Sequence, residues 1–116
     1  MYVKQLSVFL ENETGRLDDV LSTISDNGIN ILSISLADTS DFGVLRLLVS
    51  DPDRAKTLLK EHGITSKLTD VIAVSVPHSI GSLRRVMNAL SSAGIAISYV
   101  YGLSLHDDGA SIVNMQ

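Results

Sequence analysis

Two asparagines and the start of a predicted helix carry the groups best suited to hold a small polar ligand. Asn12 and Asn30 each supply a hydrogen-bond donor and an acceptor, as a zwitterion also does. The first backbone N–H groups of a helix have no partner within the helix and attract anions, so a helix start at Gly15 suits a carboxylate. Gly15 has no Cβ and lets a ligand approach the backbone closely. The candidate ligand-binding residues are Asn12, Glu13, Thr14, Gly15, Arg16, Leu17 and Asn30.

These residues also have structural interpretations, which the sequence leaves open. Asn12 could cap the helix that starts near Gly15, and Asn30 could follow the turn at Gly28. The polar residues 38–41 could form a small binding site, although a β-hairpin turn is the commoner structure for such a composition.

The sequence contains no pattern typical of an enzyme active site or a metal centre. Its glycines are scattered singly, so neither a Walker A nor a dinucleotide-binding fingerprint occurs. The serines lie in no nucleophile elbow, and His62, His78 and His106 lack the spacing of metal ligands. We therefore predict no catalytic residue, no cofactor and no metal ion, in a protein that is not an enzyme. A small metabolic enzyme that uses residues 38–41 is the weakest alternative.

The composition is that of a folded, mildly acidic domain. The chain has 116 residues and a net charge of −4, with 45% hydrophobic and 19% charged residues. With a pI near 5.1 it lacks the basic face that nucleic-acid binding needs. Without cysteine it has neither disulfides nor thiolate metal sites. Its apolar runs are shorter than the roughly 18 residues of a membrane span, and the first residues lack an apolar signal segment. We expect a cytoplasmic protein with no nucleic-acid or membrane partner.

A duplication is visible when the chain is shifted by 66 residues against itself. Ten residues are then identical, and they include Gly15 with Gly81 and Gly28 with Gly94. Most of the matched residues are glycines and apolar residues, which a duplicated structural unit retains.

Each half predicts a strand, a helix and two further strands. Period-two alternation of apolar residues marks the strands, and apolar residues at helical spacing mark one helix per half, near Leu17 and near Leu83. Turns are predicted at residues 41–43 and 107–109. In the first half, Asp51 and Pro52 start a second helix, which a short strand over residues 64–68 follows. That strand is predicted to run through residues 69 and 70 almost directly into the first strand of the second half.

The predicted fold class is α+β, a ferredoxin-like βαββαβ sandwich. Residues 1–68 form one complete module, and residues 69–116 form a second module of βαββ order that lacks the second helix and the last strand. Such a module leaves a sheet edge open, and proteins rarely leave an edge uncovered. We therefore expect a homo-oligomer, most simply a dimer.

The sequence resembles the ACT domain family. The resemblance lies in the Asn-x-x-Gly loop at residues 12–15, in the helix that ends in Gly-Ile-Asn-Ile at residues 28–31, and in the stretch of residues 35–43. The chain is similar in particular to small stand-alone bacterial proteins of two ACT modules. The second half departs from the pattern, because Asn12 aligns with His78 and Asn30 aligns with Ala96.

This resemblance implies a non-catalytic regulatory or sensor protein for amino-acid metabolism. In the family, a small free amino acid binds between modules as an allosteric signal, held by the loop after the first strand and by the start of the second strand. Those positions are residues 12–17 and Asn30 here, so the ligand belongs chiefly to the first module. The alternative is a protein-interaction module that docks on a biosynthetic enzyme as a regulatory subunit without its own ligand.

Overall fold

The computed structural model describes residues 2–11, 15–38, 42–76, 79–105 and 108–115. The chain divides into two compact units: an N-terminal unit of Lys4–Asp70, and a C-terminal unit of Val71–Gln116 together with Met1–Val3. In chain order the elements are β1 (Tyr2–Glu11), α1 (Arg16–Ser25), β2 (Ile31–Asp38), β3 (Phe42–Val49), α2 (Pro52–Glu61), β4 (Ser66–Val76), α3 (Ser82–Ser92), β5 (Ile97–Leu105) and β6 (Asp108–Met115).

The N-terminal unit has the strand order β2-β3-β1-β4. Strand β3 lies antiparallel to both β1 and β2. On the other side of β1, the Phe9 N–H donates to the carbonyl oxygen of Thr65 at 3.1 Å. Helices α1 and α2 pack against each other. This arrangement confirms the predicted ferredoxin-like βαββαβ fold.

Alternating residues of the strands and one face of each helix build the core of this unit. Leu6 pairs with Leu47 and Val8 pairs with Leu45, and all four side chains are fully buried. The Asp51 carboxylate caps α2 as predicted, because it accepts a hydrogen bond from the Arg54 N–H at 3.2 Å. The buried core comprises Leu6, Val8, Leu10, Val20, Ile24, Ile29, Leu45, Leu47, Val49, Ala55 and Leu59.

Strand β2 lies at the edge of this sheet and is poorly covered. Leu32, Ile34 and Leu36 are 48%, 48% and 53% exposed. The edge strand therefore presents an apolar row to its surroundings.

The C-terminal unit has the strand order β4-β6-β5, with β6 antiparallel to both neighbours, and contains the helix α3. This is the βαββ order predicted for the second half. Ser82 is the buried residue of α3, whereas α1 buries Val20 and Ile24.

One prediction about the connections was wrong. The predicted turns extend too far: Gly43 already pairs with Leu10 in β3, and β6 already begins at Asp108. Residues 41 and 107 lie outside the described part of the chain. By contrast, the strand predicted at residues 64–68 continues through residues 69 and 70 into the first strand of the second half, as the sequence indicated, and the structure has one strand there, β4.

Candidate functional site

Gly15 shapes the start of α1. Its φ of 88° is left-handed, and its carbonyl oxygen accepts the first helical hydrogen bond from the Asp19 N–H at 2.9 Å. No side chain caps this helix among the described residues. A Cβ at Gly15 would meet nothing within 4 Å, so the backbone conformation, rather than lack of space, favours glycine here. The helix start can therefore present backbone N–H groups to an anion.

Arg16 and Leu17 differ in what they can offer a ligand. The Leu17 side chain packs against the core of the unit, so its backbone is the part that remains for binding. The Arg16 guanidinium lies 3.9 Å from the Glu11 carboxylate, and the two side chains are 45% and 60% exposed. Glu11 was not among the residues predicted from the sequence, although it is the last residue of β1 and precedes Arg16 by only five residues.

These two charges border a cavity of about 290 Å³. Its other lining residues are mostly apolar and include Leu10, Val20 and Ile64. The volume lies just below the roughly 300–1,000 Å³ that is typical of ligand pockets. A cation and an anion beside an apolar surface suit a small zwitterion with an apolar side chain.

Asn30 lies at the other end of α1. Its backbone is held by Ser50: the Asn30 N–H donates to Ser50 Oγ at 2.9 Å, and its carbonyl oxygen accepts from the Ser50 N–H at 2.9 Å. The Asn30 residue is exposed. The ten residues of α1 separate it from Gly15, by about 15 Å at the rise of an α-helix. Within one unit, Gly15 and Asn30 therefore cannot touch the same small ligand.

Three candidate residues, Asn12, Glu13 and Thr14, lie outside the described part of the chain, as do residues 39–41, His78 and His106. Among the residues that are described, no three His, Asp or Glu side chains are grouped to hold a metal ion. No helix in the same described ranges is long and apolar enough to cross a membrane.

A family model of the ACT domain pair matches residues 1–116. The chain belongs to the ACT domain family. It is an ACT domain pair, and its antiparallel sheets and helices are those expected from the sequence.

Curated relatives match part of this ACT protein. The acetolactate synthase isozyme 3 small subunit of Escherichia coli is 39% identical over 70 residues, which cover 60% of this chain and 43% of the relative. The acetolactate synthase small subunit of Buchnera aphidicola subsp. Baizongia pistaciae is 34% identical over 70 residues, covering 60% of this chain and 44% of the relative. The chain thus spans less than half the length of the curated relatives that it matches.

Solved structures match the whole chain. A crystal structure of a Bacteroides thetaiotaomicron protein has a TM-score of 0.94 and 37% identity, covering 100% of this chain and 81% of that one. The ligand-free regulatory subunit of aspartate kinase from Thermus thermophilus has a TM-score of 0.69 and 13% identity, covering 97% and 85%. The second likeness is one of fold.

Proposed function

We propose that this ACT protein is a non-catalytic regulator that binds a small free amino acid where two copies of its N-terminal unit meet. The helix start at Gly15 would receive the carboxylate, and the side-chain amide of Asn30 from the other copy would hold the ligand's polar groups. Asn12, Glu13 and Thr14 complete the proposed site on the first copy.

The position of Gly15 and Asn30 at opposite ends of α1 carries this proposal. Strands β1 and β2 are both antiparallel to β3 and so run in the same direction. If the edge strands β2 of two copies pair antiparallel, the Asn30 end of one copy lies at the Gly15 end of the other. The exposed apolar row of Leu32, Ile34 and Leu36 lies along this edge, and a second copy paired there would bury it.

A thermal-shift screen with the twenty amino acids tests the ligand. A ligand at 100 times its dissociation constant adds about 2.7 kcal/mol to the stability, which raises the melting temperature by several degrees. We expect Asn30→Ala to abolish the shift and the exposed Asn88→Ala of α3 to retain it. A flat response of the wild-type protein to all twenty amino acids would contradict the proposal.

Substitutions in the edge strands test the interface. Ile34→Lys places a charge in the apolar row of β2, and Val100→Lys is the matched change, 66 residues later, at a 42% exposed position of β5. We expect light scattering after gel filtration to give a smaller particle for Ile34→Lys and the wild-type mass for Val100→Lys. A wild-type protein that is a monomer at micromolar concentration would rule out this interface.

A second candidate function is docking on a biosynthetic enzyme without a ligand. It is favoured by the names of the curated relatives, which are small subunits of acetolactate synthase. Co-purification with such an enzyme that persists in Asn30→Ala would favour this function. Loss of the enzyme together with the amino-acid response would favour ligand-dependent regulation of that enzyme.

A further inference from the structure

The first helices of the two units start with the same backbone and opposite charges. Gly15 and Gly81 precede them with φ values of 88° and 81°, and neither helix start has a side-chain cap among the described residues. The first turn of α1 carries two carboxylates, and the positions 66 residues later carry two guanidinium groups. The residues concerned are Asp18 and Asp19 in α1 and Arg84 and Arg85 in α3.

The basic helix start belongs to what we call the Ile80 surface, formed by Ile80, Arg84 and Arg85. Ile80 is fully exposed, and the three residues line an open cavity of about 410 Å³ with Gly81 and Asn88. In the described part of the chain, neither arginine forms an ion pair with a carboxylate. Cations at a helix N-terminus oppose the helix dipole. In the isolated chain the Ile80 surface therefore carries two free-energy costs. One is the exposure of an apolar side chain to water, and the other is the position of two cations at a helix N-terminus.

The N-terminal unit contains a surface of the complementary kind, which we call the acidic groove. It has a volume of about 470 Å³ and is lined by residues that include Asp19, Asp26 and, as an apolar member, Ile64. Neither aspartate forms an ion pair within the described ranges. The hydroxyl of Thr23 donates to the Asp19 backbone carbonyl at 2.7 Å rather than to a carboxylate.

Two basic side chains, Arg16 and His62, also line the acidic groove. Arg16 lies there, and its guanidinium is 3.9 Å from the Glu11 carboxylate, which offsets its charge. The net charge that the acidic groove presents to a cation thus remains negative through Asp19 and Asp26.

We propose that the Ile80 surface of one copy docks into the acidic groove of a second copy. Ile80 would contact Ile64, and the two arginines would pair with Asp19 and Asp26. We take a second copy of this chain as the partner, because each chain carries both complementary surfaces. The Ile80 surface combines an exposed apolar side chain with arginines that form no ion pair among the described residues. The acidic groove combines Ile64 with aspartates that form none there either. Each copy offers one surface of each kind, so every copy can make the contact twice, once through each surface.

This contact is separate from the pairing of β2 edges and needs no amino acid. Its arginines and aspartates lie at exposed positions apart from the apolar contact, so salt weakens it: the Debye length falls from about 10 Å at 0.1 M to about 3 Å at 1 M ionic strength. We expect at least a tenfold rise in the dissociation constant between 50 mM and 500 mM NaCl, measured by analytical ultracentrifugation in the Ile34→Lys background.

Reciprocal charge reversal is the decisive experiment. The variants are Arg84→Asp with Arg85→Asp, and Asp19→Arg with Asp26→Arg, each in the Ile34→Lys background. We expect each variant alone to lose at least tenfold in self-association. An equimolar mixture should associate again. The acidic Ile80 surface of the first variant then meets the basic groove of the second, and the unchanged acidic groove of the first meets the unchanged Ile80 surface of the second.

Several outcomes would overturn the docking. They are undiminished association of either variant alone, no recovery in the mixture, or a wild-type mass that NaCl leaves unchanged. A folding defect is separable, since acidic residues at the start of α3 favour the helix dipole, and the arginine variant should therefore keep or raise its melting temperature. The amino-acid response, measured by thermal shift, should persist in that variant, so the two proposals can fail independently.

Discussion

The first helices of the two units have the same pattern of apolar residues but different burial. In α1, Val20 and Ile24 are fully buried, and Leu17 packs against the core. In α3, the residue aligned with Leu17 is Leu83, which is 45% exposed, and Val86 is only partly buried. Both helices begin after a left-handed glycine, so a difference in helix start does not explain this contrast.

The N-terminal unit has a second helix, and the described part of the C-terminal unit has none. Helix α2 packs against α1 and contributes the fully buried Ala55 and Leu59 to the core. Among the described residues of its own unit, the apolar face of α3 has no such neighbour. The comparison shows that the spacing of apolar residues indicates which face of a helix turns inward, whereas the depth of burial depends on the elements that later cover it.

Breaking the contact between α1 and α2 should give the largest effect. Ala55→Asp puts a carboxylate at a position with no exposed surface, and an unpaired buried charge costs several kcal/mol, about 3 or more. The matched substitution on α3 is Ala89→Asp, at an exposed position, where we expect a cost of about 0.5 kcal/mol. Chemical denaturation measures both.

Hydrogen exchange of α1 adds a local test of this prediction. If α2 protects α1, the amides of α1 in Ala55→Asp should exchange about as fast as those of α3 in the wild-type protein. Equal destabilisation by the two Ala→Asp changes would refute the role given to α2.

The same truncation at equivalent positions of α1 and α3 compares the burial of the two helices, with a smaller expected effect. Val20 is fully buried and Val86, 66 residues later, is partly buried. Val20→Ala removes two methyl groups and leaves a cavity, so we expect a loss of about 2 kcal/mol, against about 1 kcal/mol or less for Val86→Ala. Urea denaturation gives both values, and a larger loss for Val86→Ala would contradict the burial found here.

The sequence predicted the fold more completely than the site. Apolar periodicity and the duplication identified the strands, the helices and the βαββαβ order, because each depends on residues close together in the chain. It also indicated that the strand over residues 64–68 runs through residues 69 and 70 almost directly into the next strand, and the structure has a single strand there, β4. A continuous strand and two short strands have the same local pattern there.

The site was harder to predict, because it depends on geometry between distant residues. Gly15 and Arg16 lie together at the start of α1 because they are adjacent in the sequence. Glu11 was missed, since its distance of 3.9 Å from Arg16 does not follow from a spacing of five residues in the sequence. The separation of Gly15 from Asn30 could have been derived from the direction of α1, which places its two ends at opposite ends of the unit.

Alanine at the two helix-start glycines should show what the units share. The φ values of Gly15 and Gly81 are 88° and 81°, and an added Cβ would meet nothing within 4 Å at either position. The cost is therefore conformational, about 1–2 kcal/mol for a left-handed alanine, and it should be similar in both units. Thermal unfolding of Gly15→Ala and Gly81→Ala checks this. A cost at one position alone would mean that the two helix starts are less alike than their dihedral angles.

The smallest expected effect is also the one whose sign differs between the units. Asp18 favours the dipole of α1 and Arg84 opposes that of α3, because both lie in a first turn. Asp18→Arg should therefore destabilise the protein by about 0.3–1 kcal/mol, and Arg84→Asp should stabilise it by a similar amount. Thermal unfolding at low ionic strength measures both, and 0.5 M NaCl should reduce both because these charges are exposed. If the two substitutions instead shift the melting temperature in the same direction, the contacts of these side chains outweigh the helix dipole, and the charge contrast between the two helix starts has no cost in the isolated chain.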